Sequence, residues 1–151
     1  MTFRGTFEHS LDGKHRLTVP AKFREALAGK PIVLAASPEL DADSPRCVAI
    51  WLPEDYERYV DRTLSTLNPA SPTARALERF FFNSSAEAEL DSANRVMIPS
   101  NLMRYGSLEK DVIVTGSGRC VEVWDRARFD SYQEGFLAQI PDLTASLGQS
   151  A

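Results

Sequence analysis

Apolar and polar positions alternate over short stretches of this chain, with a period of two residues that is typical of β-strands. Residues 16–19 show the alternation, with leucine and valine between polar neighbours, and predict a half-buried strand. Pro20 follows where a helix can begin, because its missing N–H is not needed in the first turn. Residues 21–27 then predict a short helix that Gly29 ends.

The same pattern predicts the remaining elements and an α+β, β-rich fold. Strands are expected at residues 6–11, 32–36, 48–52, 86–90, 95–98, 112–115 and 121–124, and helices at 54–67, 73–82, 126–140 and from residue 100. The small, polar residues 141–151 are expected to fray.

An internal repeat organises the chain. Residues 11–20 read L-D-x-x-x-R-L-x-V-P, and residues 90–99 read L-D-x-x-x-R-V-x-I-P, 79 positions later. Further along, C-V-x-I-W at residues 47–51 recurs as C-V-x-V-W at residues 120–124, now 73 positions later. The shorter offset places extra residues in the first copy at 37–45, where we expect a surface loop. Such matches in register establish a duplication.

One copy of four short strands and a small helix cannot bury enough apolar surface to be stable alone. We therefore expect the two copies to pack as interlocked halves related by a pseudo-two-fold axis. The predicted organisation is a first module at residues 5–55, a helical linker at 56–83, a second module at 84–127, and a C-terminal helix and tail at 128–151.

Charge is distributed unevenly along the chain. The formal net charge of -4 does not by itself suggest a nucleic-acid ligand, but residues 1–30 carry six basic against three acidic side chains, whereas residues 31–70 carry three against seven. This asymmetry permits a basic face.

The composition also indicates the cellular location of the protein. No apolar run approaches the roughly 20 residues that span a bilayer, and no secretory signal follows the N-terminus, so we expect a cytoplasmic, nucleoid-associated protein without a membrane partner. Cys47 and Cys120 are too few for a disulfide framework or a zinc site, and both are expected to be reduced and buried.

The Asp-x-x-x-Arg motif, followed by an alternating strand and Pro, resembles the AbrB-like swapped-hairpin family of DNA-binding modules. Two copies in a chain of this length resemble the MraZ family, as do Phe3-Arg4-Gly5 and Arg75-x-x-x-Arg79-Phe80-Phe81. The resemblance covers roughly residues 3–135. It implies two swapped-hairpin β-barrel modules, assembly into a closed homo-oligomeric ring, and transcriptional regulation through repeated short double-stranded DNA sites upstream of the cell-division and cell-wall gene cluster. It implies no catalytic residue, metal, cofactor or small-molecule substrate.

The resemblance places the DNA-contacting arginines at Arg16 and Arg95, and Lys14 at the first hairpin tip. The other basic side chains assigned to DNA are Arg4 and Lys22, although Lys22 is equally compatible with a solvated surface charge.

A structural alternative assigns each arginine to an ion pair that holds its turn, with Asp12 or Asp91; both roles can coexist. The two aspartates are expected to shape the turns by accepting backbone hydrogen bonds. Because residues 92–94 contain no basic side chain, the second module should bind DNA more weakly or contribute more to assembly.

Three rival functions remain open. The first is an AbrB-like antitoxin or protein-interaction module with secondary DNA binding, and the second is a ring-forming scaffold. An enzyme has little support, because His9 and His15 lack the partners of a catalytic or metal site and the second copy has other residues there. Trp51 and Trp124 are expected to be core or interface anchors rather than base-stacking residues.

Overall fold

The computed structural model describes residues 2–38 and 45–149. Residues 39–44, the middle of the expected surface loop, lie outside the described residues. Over the described ranges the chain forms eight strands and five helices. In order they are β1 (Phe3–Ser10), β2 (Arg16–Thr18), α1 (Ala21–Leu27), β3 (Ile32–Ala36), β4 (Val48–Trp51), α2 (Pro53–Leu64), α3 (Pro72–Asn83), β5 (Ser85–Ala88), β6 (Arg95–Met97), α4 (Ser100–Tyr105), β7 (Asp111–Gly118), β8 (Val121–Asp125) and α5 (Arg126–Gln149).

Six of these strands form an antiparallel sheet in the order β1-β7-β8-β4-β3-β5, and β2 and β6 form a separate antiparallel pair. The first strand of each copy pairs with the third strand of the other copy, β1 with β7 and β5 with β3. Equivalent residues take equivalent partners, since Phe7 lies opposite Val114 and Ala86 lies opposite Leu34. The predicted α+β class is confirmed, and neither copy builds its sheet alone.

The β2–β6 pair joins the two copies at the base of their hairpins. Leu17 lies opposite Val96, and both side chains are buried. Next to them, the Val19 N–H donates to the carbonyl of Asn94 over 3.0 Å, and the equivalent bond in the other direction measures 2.9 Å. Each hairpin base is therefore bonded to the other copy, which fixes the two hairpins relative to each other.

The central strands are buried on both faces of the sheet. In β3, Ile32 and Leu34 belong to the main core. Val33 and Ala35 point to the opposite face and belong to a second cluster, which also contains Phe81 of α3. The main core collects apolar side chains from both copies, whereas the second cluster is covered by α2 and α3.

Predicted and observed element ends agree best where local signals are strong. The helix at residues 21–27 and the strand at 32–36 have their predicted bounds. The strands expected to begin at residue 6 and to end at residue 115 are longer, because β1 and β7 pair along their full length from Phe3 opposite Gly118. The helix expected to continue to residue 67 ends at Leu64.

The expectation of a frayed tail after residue 140 is wrong for the described residues. Helix α5 continues to Gln149 with Pro141 inside it. Proline removes one helical hydrogen bond, but the leucines and alanine that follow it are good helix formers. Of the helices in residues 2–38 and 45–149, none combines the length and hydropathy that crossing a lipid bilayer requires.

Both cysteines are free thiols in buried positions, as predicted. Burial is the main cause that raises the pKa of the Cys120 thiol to about 12, and it also raises the pKa of Cys47. Both thiols are therefore protonated at neutral pH.

The β1–β7 pairing requires a residue without a side chain at Gly116. A Cβ atom added there would lie 2.3 Å from the backbone nitrogen of Arg4. We predict that Gly116→Ala lowers the free energy of unfolding by about 3 kcal/mol, because backbone atoms must move apart to accept the methyl group. Chemical denaturation measures the loss. Gly135→Ala in α5, where nothing lies within 4 Å of the added atom, is the control and should stabilise by about 1 kcal/mol. Equal effects would contradict this account.

Candidate nucleic-acid interface

The first hairpin is closed by a three-residue turn between Asp12 and Arg16. The Asp12 carbonyl accepts a hydrogen bond from the His15 N–H over 3.0 Å, and the Asp12 N–H donates to the Arg16 carbonyl over 3.1 Å. His15 has a φ of 58°, the left-handed conformation that ends this type of loop. The backbone therefore turns tightly before Arg16 enters β2.

The second hairpin repeats the turn. The Asp91 carbonyl accepts from the Asn94 N–H and the Asp91 N–H donates to the Arg95 carbonyl, both over 2.9 Å. Asn94 has a φ of 60°, and asparagine tolerates the left-handed region better than most residues. The two copies thus present one loop geometry with different side chains.

Each aspartate bonds both to the turn and to its arginine. Asp12 Oδ1 accepts from the backbone N–H groups of Lys14 and Arg16, each over 2.9 Å, and Oδ2 lies 2.6 Å from Arg16 Nε. Asp91 makes the same bonds with Ala93 and Arg95, the Nε–Oδ2 distance being 3.0 Å. The ion pair named in the structural alternative is therefore present in both hairpins.

The ion pairs leave the outer edge of each guanidinium free. Only Nε of Arg16 and of Arg95 bonds to its aspartate, and the terminal nitrogens have no partner in the part of the chain that the structure describes. About a third of each arginine side chain is exposed, 30% and 35%. The aspartate consequently orients an arginine that can still donate two parallel hydrogen bonds outward.

Hydrogen bonding keeps both aspartates ionised. The backbone bond from Arg16 is the largest cause that lowers the pKa of Asp12 to about 2, and the side-chain bond from the same residue adds to it. The corresponding bonds from Arg95 lower the pKa of Asp91. Both carboxylates therefore hold their turns at any physiological pH.

Two of the five basic residues predicted to bind DNA line a cleft that does not include the tip of the first hairpin. Lys14 is exposed at the first hairpin tip, two positions from Arg16. Arg4 and Lys22 instead line a separate cleft of about 640 Å³ together with Lys30 and Glu25. Arg4 lies at the start of β1 and the first hairpin follows its end, roughly 20 Å along the strand.

Two arginines that the sequence analysis missed lie beside the first hairpin. Arg104 and Arg128, both from the second copy, line an open cleft of about 750 Å³ that also includes His15. Both are exposed, and neither forms an ion pair within the described residues. Asp125 and Glu109 line the same cleft. Asp125 is occupied in accepting the backbone N–H of Arg128 over 3.2 Å at the start of α5.

These two arginines distinguish the copies. The offsets of the repeat relate Arg104 to Glu25 and Arg128 to Asp55 in the first copy. The same offsets relate Met103 and Ser131, which also line this cleft, to Arg24 and Arg58, so the charged neighbours are arranged differently around the two hairpins. No local motif marks Arg104 or Arg128, and only a comparison of the two copies could have found them.

The tryptophans pack within the chain. Trp51 is buried in the second cluster and stacks on Tyr59 with ring centroids 5.0 Å apart. Trp124 is half-buried, and its Nε1 donates to Thr115 Oγ1 over 3.1 Å. Among the described residues, no group of His, Cys, Asp or Glu side chains could hold a metal ion.

Comparison with known proteins identifies relatives over nearly the whole chain. The family model described as "MraZ protein, putative antitoxin-like" matches residues 2–80 and again residues 81–145, which confirms the repeat. Proteins named Transcriptional regulator MraZ are 38% identical over 148 residues in Desulfitobacterium hafniense (98% of this chain, 95% of the relative) and 37% identical over 132 residues in Heliobacterium modesticaldum (87% of each). The protein of that name from Acetivibrio thermocellus is 38% identical over 130 residues (86% and 85%).

The depressed pKa of Asp12 predicts an acid-sensitive hairpin. The pKa of Asp12 in the folded protein lies below the ordinary value of 3.8. The ionised carboxylate therefore contributes its full stabilisation of the turn above pH 3.8, and this stabilisation is lost as the pH falls through about 2. We expect an NMR titration of the Asp12 carboxyl to show a midpoint near about 2.

A matched substitution tests the cause. Asp12→Asn retains an acceptor for the backbone N–H groups but loses the charge, whereas Asp12→Ala loses both. Amide exchange of Lys14 and Arg16 should accelerate more in the alanine variant. An ordinary titration midpoint for Asp12 would show that these hydrogen bonds do not form in solution.

Proposed function

The chain belongs to the MraZ family, and from this membership we propose that it is a transcriptional regulator that binds double-stranded DNA through its two arginine-bearing hairpins. Its targets would be repeated short sites upstream of the cell-division and cell-wall gene cluster. The proposed activity needs neither a catalytic residue nor a cofactor, and it places the protein in the cytoplasm, at the nucleoid.

One observation carries the proposal. In each hairpin an aspartate holds Nε of the arginine and leaves the terminal nitrogens without a partner among the described residues. A guanidinium oriented in this way can donate two hydrogen bonds to O6 and N7 of a guanine in the major groove, or to a phosphate. Because the arginine is already positioned, less side-chain freedom is lost on binding.

The strand pairing supports the finer architecture that we propose, a swapped-hairpin barrel with pseudo-two-fold symmetry. Exchanging the copies maps the strand order β1-β7-β8-β4-β3-β5 onto its own reverse. The axis would pass through the two inter-copy pairs that join equivalent strands. In β2–β6 it would lie between Leu17 and Val96, and in β4–β8 between Ala49 and Glu122. We retain the division into modules at residues 5–55 and 84–127 with a helical linker at 56–83.

Assembly explains how a chain with a net charge of -4 can bind DNA with useful affinity. We propose a closed homo-oligomeric ring that presents several copies of the first hairpin to repeated sites. Phosphate contacts that form together raise the affinity and its salt dependence. Linked binding of this kind strengthens association by roughly 10²–10⁴ when the spacing matches.

The family description favours a second candidate function, because it names an antitoxin-like protein. In that case the chain would neutralise a small partner protein, with DNA binding secondary. Co-purification of the full chain with a small toxic protein would support this candidate, and DNA binding that depends on Arg16 without such a partner would count against it.

Removing the hairpin arginines tests the proposal. We expect Arg16→Ala to abolish sequence-specific binding, because a bidentate contact contributes about 1–3 kcal/mol and is repeated in every subunit. Arg95→Ala should weaken binding less, since the second hairpin carries no other cation. Gel-shift titrations on the chain's own upstream region measure both. Arg62→Ala, at an exposed position of α2, should leave the affinity unchanged. Wild-type affinity in both hairpin variants would refute the proposal.

The difference between the hairpin tips gives a gain-of-function test. Ala93 occupies the position equivalent to Lys14, and its side chain is exposed. We expect Ala93→Lys to strengthen binding and Lys14→Ala to weaken it for all sequences, each changing the salt dependence by about one phosphate contact per hairpin. Titrations between about 50 and 200 mM salt measure the slopes. If the logarithm of the binding constant falls equally steeply with the logarithm of the salt concentration in both variants and the wild type, the hairpin tips do not contact phosphate.

A further inference from the structure

The two copies differ in what covers their last helix. The repeat offset of 73 relates α2 to the first half of α5 and Leu64 to Leu137. Leu64 is half-buried against the second cluster, where α3 contributes Phe81 and Leu77. Leu137 is 56% exposed, and no further helix follows α5 in the described chain. Leu137 is therefore uncovered at a position that α3 covers in the first copy. The exposed large apolar residues on α5 are Leu137, Ile140, Leu143 and Leu147.

The charges beside this surface are one-sided. After Arg128, α5 carries three acidic side chains and no basic one: Asp130, Glu134 and Asp142. Asp130 and Glu134 are exposed and make no ion pair within the described residues. A partner for this helix should therefore combine basic groups with an apolar one.

The outer face of α3 has that composition. Arg75 and Arg79 are exposed and also lack an ion pair within the described part of the chain. Phe82 is 57% exposed, although it is a large aromatic side chain. These three residues lie on the side of α3 turned away from Ala74 and Phe81, which are buried against the rest of the chain.

The spacing of the two sets matches. Arg75, Arg79 and Phe82 follow the pattern i, i+4, i+7, which places them along one helix face. Asp130, Glu134 and Leu137 follow the same pattern on α5; the two sets are related by a constant difference of 55 positions. Side by side in the same direction, the helices pair each arginine with a carboxylate and phenylalanine with leucine. The opposite direction would place Phe82 against Asp130.

We propose that α5 of one copy docks in parallel against the outer face of α3 of a second copy, through Arg75–Asp130, Arg79–Glu134 and Phe82–Leu137. The contact joins two different surfaces of the chain, so it is head-to-tail and leaves α3 of one copy and α5 of the other free. Contacts of this type generate a ring when the rotation between copies closes. The inference rests on the assembly in the proposed function and names the surfaces that make it.

Charge reversal at the middle pair tests the contact. Native mass spectrometry and light scattering of the full chain measure assembly for the wild type, Arg79→Glu, Glu134→Arg and the double variant. Each single reversal should weaken association roughly tenfold per contact, because an attraction becomes a repulsion, and the double variant should restore the wild-type mass. Arg62→Glu, an equal charge change at an exposed position of α2, should leave assembly unchanged.

Mixing the two single variants provides the sharper test. Arg79→Glu has an altered α3 and a native α5, whereas Glu134→Arg has a native α3 and an altered α5. In a mixture the two altered surfaces have opposite charges and can pair with each other, and so can the two native surfaces. An equimolar mixture should therefore assemble although neither variant does alone. Thermal denaturation of each variant should match the wild type, because all the altered side chains are exposed.

The remaining outcomes decide against the proposal. A monomeric wild-type chain, or single variants that assemble like the wild type, would overturn it. Loss of assembly in Glu134→Arg but not in Arg79→Glu would show that α5 meets another α5 or a different protein.

DNA binding is measured separately, on the dispersed variants and on Arg16→Ala, which should keep the wild-type mass. If charge reversal behaves as expected while Arg16→Ala still binds DNA, the docking contact stands and the DNA proposal fails.

Discussion

The fold depends on one constraint: neither copy of the repeat can satisfy its own strand edges. β1 has no partner except β7 of the second copy, and β5 has none except β3 of the first, within the described chain. The short β2 and β6 pair with each other, and Leu17 of β2 forms only a single further bridge, to Leu11, within the described chain. Because unpaired backbone groups are costly when buried, the copies must fold together. The buried contact between Leu17 and Val96 lies where they meet.

The strand pairing between the two copies also fixes the positions of the two hairpins. Their bases are fixed by hydrogen bonds to the other copy, and their tips by aspartates that accept two backbone N–H groups each. Arg16 and Arg95 therefore extend from rigid supports, which is the condition for precise polar recognition. An arginine on a mobile loop would lose more conformational freedom when it bound.

The sequence predicted what local chemistry determines. The Asp-opened turns, the helix after Pro20, the β3 strand and the buried cysteines all follow from a few neighbouring residues. The lengths of β1 and β7 do not, because they are set by pairing between residues more than 100 positions apart. The sequence also did not indicate that Arg4 and Lys22 line one cleft, or that Arg104 and Arg128 of the second copy line another with His15 of the first hairpin, because these neighbours come from distant segments.

Duplication within one chain differs physically from dimerisation of two identical chains. In a homodimer every substitution appears on both sides of the axis, so a cation added beside one hairpin is added beside both. Here Lys14 corresponds to Ala93 in the second copy, and Arg104 and Arg128 correspond to Glu25 and Asp55 in the first. Likewise α2 is covered by α3, while α5 keeps an exposed apolar edge. A covalently joined pair can therefore vary the side chains around each hairpin and along each last helix independently, without changing the strand pairing that both halves share.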